Sequence, residues 1–217
     1  MAAKPRQGAV KSPGAPPAGK SVAKGGSARR GELLEIAAGM FATRGYAETT
    51  VRDIADEAGI LSGSLYHHFS SKEAMLDEIL RDFLVNLLGR FTAIEKQAGE
   101  PREALEELVN ASFDAIATAP HAVALYQNQV GPLSKQPGFE YVGESSRKIE
   151  AVWVRVLGAG QKSGAFRGDI DVKLAYRFIR DTVWSSVRWY RPRGKYKVDA
   201  VAKQYLRMLQ GGLLAEE

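Results

Sequence analysis

The chain has 217 residues, 45% of them hydrophobic and 25% charged, with a formal net charge of +5 and no cysteine. That length holds one large domain or two small ones, and the apolar share is enough for a core. The lack of cysteine excludes disulfides, thiolate-bound zinc and a thiol nucleophile, and with His67, His68 and His121 as the only histidines no metal site is expected.

Residues 1–28 are rich in Gly, Pro, Ala, Ser and Lys, with Val10 and Val22 as the only sizeable apolar side chains. Such a stretch buries too little to offset chain entropy, so it is expected to be a disordered arm. It is also basic. Lys4, Arg6, Lys11, Lys20, Lys24, Arg29 and Arg30 stand without an acid, leaving 23 bases against 25 acids in the rest of the chain. The arm suits a polyanion, since each neutralised phosphate releases counterions; a solubilising tail is the alternative. No apolar stretch follows it as in a signal peptide, and no run approaches the roughly 18 residues that cross a bilayer. The expectation is a cytoplasmic protein without a membrane segment.

From Gly31 the pattern turns helical. Leu33, Leu34, Ala37, Met40 and Phe41 share one face, and Gly45 ends the run. Thr50 with Asp53 predicts a capped start for a short helix, about Val51 to Glu57. Ala58-Gly59-Ile60 makes a tight turn, and Ser62 is expected to cap a second short helix through His68. Ser70 with Glu73 predicts another cap, opening a long helix to about Ala93 with Met75, Leu76, Ile79, Leu80, Phe83, Leu84, Leu87, Leu88 and Phe91 inward. Further helices are expected from Pro101 to Pro120, over about 121–130, 139–162, 171–190 and 199–210, with a loop at 131–138. No strand alternation and no repeat are visible. The fold is read as all-α, with about nine helices.

The two short helices joined at Gly59 form a helix-turn-helix. Val51, Ile54, Ala58, Ile60 and Leu65 make its shared core, leaving Ser62, Gly63, Ser64, Tyr66 and His67 near the exposed start of the second helix. In such a motif those N-terminal residues enter the major groove. The segment resembles the DNA-binding domain of tetracycline-repressor (TetR) type regulators. The likeness is carried by Phe41, Gly45, Thr49, Thr50, Ile54, Ala55, Ala58, Gly59, Leu65, Tyr66, Phe69, Lys72 and Leu76. Behind the arm at 1–28, read from composition, it implies a three-helix DNA-binding domain at 29–75 and a ligand-binding and dimerisation domain at 76–217. It also implies a homodimer on operator DNA, with phosphate contacts from Thr49 or Thr50, Tyr66 and Lys72, and base contacts from Ser62 to His67. Arg52 is a further DNA-contact candidate. The head itself is not basic: residues 31–70 hold Arg44 and Arg52 against six acids. The arm is therefore expected to supply charge, in the manner of an arm entering the minor groove.

Further along, Arg177, Arg180, Trp184, Arg188 and Arg191 recur at three- or four-residue spacing, which predicts one helix face. Phe178, Ile179, Thr182, Val183, Ser186 and Tyr190 fall on the other, suited to packing or dimerisation. The arginine–tryptophan stripe reads either as a solvated face paired with Asp181 or as a site for an anionic, partly flat ligand. Guanidinium forks grip phosphates and carboxylates, and tryptophan stacks on rings. The whole chain resembles the steroid-catabolism repressors of this family, which govern cholesterol ring degradation and sense a coenzyme A thioester. The residues in point are Ala58 to Phe69, Tyr176 to Asp181 and Val187 to Pro192. That resemblance implies an acyl-coenzyme A effector of the indanedione-propanoate type, held by Arg180, Trp184 and Arg188, with Tyr126, Gln127 and Asn128 as further wall residues and Trp153 as core. The last two helices would form the dimer, and the long helix would link head to body.

Two rivals remain open. A coenzyme A-dependent enzyme is suggested by Gly158-Ala159-Gly160-Gln161-Lys162-Ser163-Gly164, but that run follows a helix and lacks the GK[ST] ending of a phosphate loop. A regulator of drug efflux would share the head and take a different ligand.

Overall fold

The computed structural model describes residues 22–133 and 136–213, and among them the regular elements are helices. The head comprises α1 (Val22–Thr43), α2 (Val51–Glu57) and α3 (Ser62–Tyr66). The body comprises α4 (Lys72–Gln97), α5 (Pro101–Thr118), α6 (Pro120–Leu133), α7 (Glu140–Ser163), α8 (Val172–Ser185) and α9 (Val198–Leu213). A single 3₁₀ turn, Ser186–Arg188, follows α8. None of these helices is long and apolar enough to cross a membrane.

Local chemistry sets the head. Thr50 caps α2: its hydroxyl accepts from the Asp53 N–H at 3.1 Å while Asp53 Oδ2 accepts from the Thr50 N–H at 2.8 Å. Each satisfies a helix-end donor that would otherwise be orphaned. Gly59 follows at φ +65°, a conformation a side chain resists. That reversal lets Leu65 meet Ile54 and Ala55 in a core shared with Leu33, Ala37, Phe41 and Phe69.

α4 belongs to both halves. Met75 and Leu76 are buried at its start, and Phe83, Leu84, Leu87 and Phe91 continue the stripe into the body. At 1.5 Å per residue its 26 residues make a rod roughly 39 Å long. In the body Phe91 meets Trp153 edge-on at 5.8 Å, and Trp153 meets Tyr176 at 6.2 Å. One aromatic chain thus joins α4, α7 and α8, with Trp153 in the core as expected.

Several boundaries differ from the sequence reading. The segment expected to be disordered up to residue 28 is helical from Val22; residues 1–21 lie outside the described residues. Leu61 rather than Ser62 is the N-cap of α3, without a side-chain hydrogen bond. Ser71 rather than Ser70 caps α4, its Oγ accepting from the Ala74 N–H at 3.1 Å. α6 runs through Gly131 and Pro132 to Leu133, past the expected loop start. Pro132 falls in the last turn, where its missing N–H forfeits only one helix bond. The helix expected over 171–190 stops at Ser185.

The glycine-rich run Gly158 to Gly164 is the end of α7 and its cap. A Cβ built on Gly160 would stand 2.0 Å from the Phe166 ring, so the glycine exists to admit that ring. Gly160→Ala is expected to lower stability by about 1–3 kcal/mol through overpacking, read as a fall in the thermal midpoint. An unchanged midpoint would show that Phe166 moves aside freely.

Candidate nucleic-acid interface and effector site

The DNA-facing residues fall into two groups. Gly63, Ser64, Tyr66 and His67 are exposed on or just after α3, and Ser62 is half-exposed. Thr50 and Arg52 are exposed at the start of α2. All of these are accessible in the single chain. Thr49 does not join them: it is 1% exposed, and its hydroxyl donates to the Gly45 carbonyl at 2.8 Å. Its expected phosphate contact is therefore corrected to an internal tie across the α1–α2 loop. Lys72 is a brace. Its ammonium donates to the Tyr46 and Thr49 carbonyls at 2.8 and 2.9 Å and lies 4.3 Å from the Tyr46 ring centre.

The charges nearby are mostly spoken for. Arg44 pairs with Glu57 at 3.7 Å and Arg52 with Asp56 at 3.9 Å. Thr50 hydrogen bonds hold the Asp53 carboxyl below the ordinary aspartate range. From Leu61 to His67 there is no lysine, arginine or carboxylate. Any base reading there rests on hydroxyls, imidazole and apolar contact.

Arg29 and Arg30, counted with the arm on sequence, serve the head instead. Arg29 pairs with Glu32 and donates to the Ala58 carbonyl at 2.9 Å. Arg30 grips Glu78 of α4 through both Nε and a terminal nitrogen, donates to the His68 carbonyl, and stacks 4.1 Å from the Phe69 ring centre. It thereby fastens the end of α3 to α4. The sequence signal was available, since Arg30 continues the α1 face of Leu33, Ala37 and Phe41, but the charge run masked it.

In the body, Tyr126 on α6 is buried and shares a 2.8 Å hydrogen bond with Ser146 of α7. Burial pushes its phenol up, while the Ser146 bond and the nearby Arg180 charge pull it back, so it stays a neutral donor at physiological pH. Arg180 is partly buried, its guanidinium 5.8 Å from the Tyr176 ring centre and its Nε 2.7 Å from Asp181 Oδ1. Trp184, one turn on, is 5% exposed. Gln127 is half-exposed and Asn128 exposed.

The arginine stripe is therefore not one face. Arg177 is exposed, Arg180 intermediate and Trp184 buried, so the stripe runs inward along α8. Arg188 lies beyond the end of α8, exposed in the 3₁₀ turn, and Arg191 is exposed past it. The opposite face splits too. Ile179, Val183, Ser186 and Tyr190 are buried, whereas Phe178 and Thr182 are exposed. Tyr176, Ser146 and Glu150 gather around Arg180 and Tyr126; none was singled out as a site residue from the sequence, Tyr176 having entered only with the resemblance. Only the four-residue step from Tyr176 to Arg180 could have pointed to one of them.

Two concavities lie elsewhere. A cavity of about 420 Å³ opens where α1 meets α4, α5 and α6; Leu34, Phe83 and Ala115 are among its apolar walls, with Glu35, Asp82 and His121 among its polar ones. An apolar groove runs between α8 and α9, lined by Leu174, Phe178, Thr182, Tyr205, Met208 and Leu209 among others. Neither is lined by Arg180 or Trp184.

Residues 33–79 match the model described as bacterial regulatory proteins, tetR family, and residues 98–213 match the tetracyclin repressor-like C-terminal domain. The chain is 54% identical over 198 residues to the HTH-type transcriptional repressor KstR2 of Rhodococcus jostii strain RHA1, covering 91% of this chain and 96% of that one. It is 52% identical over 190 residues to the protein of that name from Mycobacterium tuberculosis strain H37Rv, covering 88% and 95%. The solved structure of the ketosteroid transcriptional regulator KstR2 of Mycobacterium tuberculosis superposes with a TM-score of 0.85 at 53% identity, covering 87% of this chain and 96% of that one.

Proposed function

Since the chain belongs to the tetR family of bacterial regulatory proteins, we propose that it is a homodimeric repressor of steroid-catabolism genes, released from operator DNA by an acyl-coenzyme A thioester. The solved structure described as a ketosteroid transcriptional regulator, and the repressors that share its KstR2 name, support the steroid part. The observation that carries the ligand class is Arg180: a partly buried guanidinium, 5.8 Å from the Tyr176 ring centre and close to the buried Tyr126, with a largely exposed side-chain partner, Asp181. Such an exposed pair is worth at most about 1 kcal/mol, so a phosphate or carbonyl of the ligand can replace Asp181 at little cost. The acyl group would be of the indanedione-propanoate type, its rings against Trp184, with Gln127 and Asn128 at the rim and Arg188 reaching in from the turn.

Release then follows from linkage. Two copies joined through the α8–α9 groove present two α3 helices to half-sites one helical turn apart. Ligand contact on α8 reaches α4 through Tyr176, Trp153 and Phe91, and α4 carries the head. To swing a two-state equilibrium from 1:99 to 99:1, the thioester must prefer the DNA-incompetent state by about 10⁴-fold.

The test is a mobility-shift titration on the DNA upstream of the protein's own gene, with a steroid-derived acyl-coenzyme A, free coenzyme A and the free acid in parallel. Release by the thioester alone is expected. Retention under all three would remove the ligand assignment. One observation favours a second reading, an efflux-type regulator: Glu35 and Asp82 at the α1–α4 cavity suit a cationic apolar molecule. Release by quaternary ammonium drugs in the same assay would select it.

A further inference from the structure

We propose that Leu61 reads sequence: in the DNA complex its side chain closes on the 5-methyl group of a thymine in the major groove, making thymine the preferred base there in each half-site. The inference rests on the operator-binding reading above. Leu61 is 80% exposed and is the N-cap of α3. Single exposed leucines are ordinary on protein surfaces, but the pattern here is not scattered. Among the described residues of the head, the exposed large apolar side chains are Leu61 and Tyr66, one at each end of the five-residue α3. Neighbouring Ile60 is turned inward against the core.

The direction of Leu61 is preset. The Ile60 N–H donates to the Ala55 carbonyl at 3.0 Å behind Gly59, and the Leu61 carbonyl accepts from the Ser64 and Leu65 N–H groups at 2.9 and 3.3 Å. Its backbone is therefore ordered before DNA arrives, and little entropy is lost on docking. Its chemistry narrows the partner. An isobutyl group gains nothing from a phosphate, and the thymine methyl is the apolar feature of the major-groove edge. The surrounding face, Ser62 to His67, has no arginine for guanine and no asparagine or glutamine for adenine. Apolar contact consequently carries a larger share of the discrimination.

The experiment selects operators from a random-sequence duplex pool with the full chain, then replaces each thymine singly by deoxyuridine, which lacks only the methyl group. At one thymine per half-site, deoxyuridine is expected to weaken binding about fourfold, the value of one buried methyl. Leu61→Ala is expected to bind the thymine and deoxyuridine duplexes equally at that position, with an unchanged thermal midpoint. A deoxyuridine penalty that persists undiminished in Leu61→Ala, or no penalty at any thymine, would overturn the inference while leaving operator binding intact. A pool from which nothing enriches would overturn both.

Discussion

Phe178→Asp is expected to give a folded monomer whose operator affinity is about 10²- to 10⁴-fold lower. The magnitude is that of avidity: joining two modest half-site contacts multiplies affinity by roughly this factor, and separating them removes it. The folded state should survive, because Phe178 is 65% exposed in the single chain and a surface exchange costs within about 0.5 kcal/mol. The dimer should not. Met208, 70% exposed, and Leu174 line the same groove, with half-buried Tyr205 and Leu209 between them. In a two-fold contact every substitution enters twice, so two carboxylates would be placed in one apolar seam. Light scattering gives the mass, and fluorescence anisotropy on a two-half-site duplex gives the affinity. A dimer of unchanged mass would place the interface away from α8 and α9.

Arg180→Ala is expected to leave operator binding without ligand unchanged and to raise the thioester concentration needed for release by roughly 10- to 150-fold. That is the range for losing a hydrogen bond to a charged group, about 1.5–3 kcal/mol. Asp181→Asn should act in the opposite sense. It removes the carboxylate that holds Arg180 at 2.7 Å, so the ligand no longer competes for the guanidinium. Because that pair is exposed, the gain is limited to about fivefold. Opposite shifts from adjacent residues are hard to obtain from general destabilisation. Trp184 is the less useful target, since truncating a side chain so buried costs about 3–5 kcal/mol of stability. Equal release curves for all three proteins would take the effector site away from α8.

What was legible in the sequence was legible for local reasons. Thr50 with Asp53 and the glycines at 45 and 59 act over three or four residues, and they appear in the structure as a capping box and two positive-φ turns. What was missed depends on partners distant in the chain. Nothing near Thr49 indicates that it turns inward to the Gly45 carbonyl while Thr50 turns out. Lys72, read as a phosphate ligand, also reaches back to the Tyr46 and Thr49 carbonyls, which leaves one of its three ammonium N–H groups for a phosphate. The arginine stripe obeys helical spacing, but spacing cannot register that α8 ends at Ser185 and gives way to a 3₁₀ turn that holds Arg188. Arg30 was hidden by composition, grouped with a basic tail although it braces the head through Glu78 and the Phe69 ring.

Under the linkage proposed above, the clamp at Arg30 would also set the scale on which repression is lost. With α3 fastened to the base of α4, the head turns as one piece with a rod roughly 39 Å long. Tilting such a rod by about 5° moves its far end by about 3.4 Å, close to the rise of one base pair. Two heads swinging apart would fall out of step with their half-sites by about two base pairs. A small angular change in the body is thus geared up into a misfit measured in whole steps of the double helix.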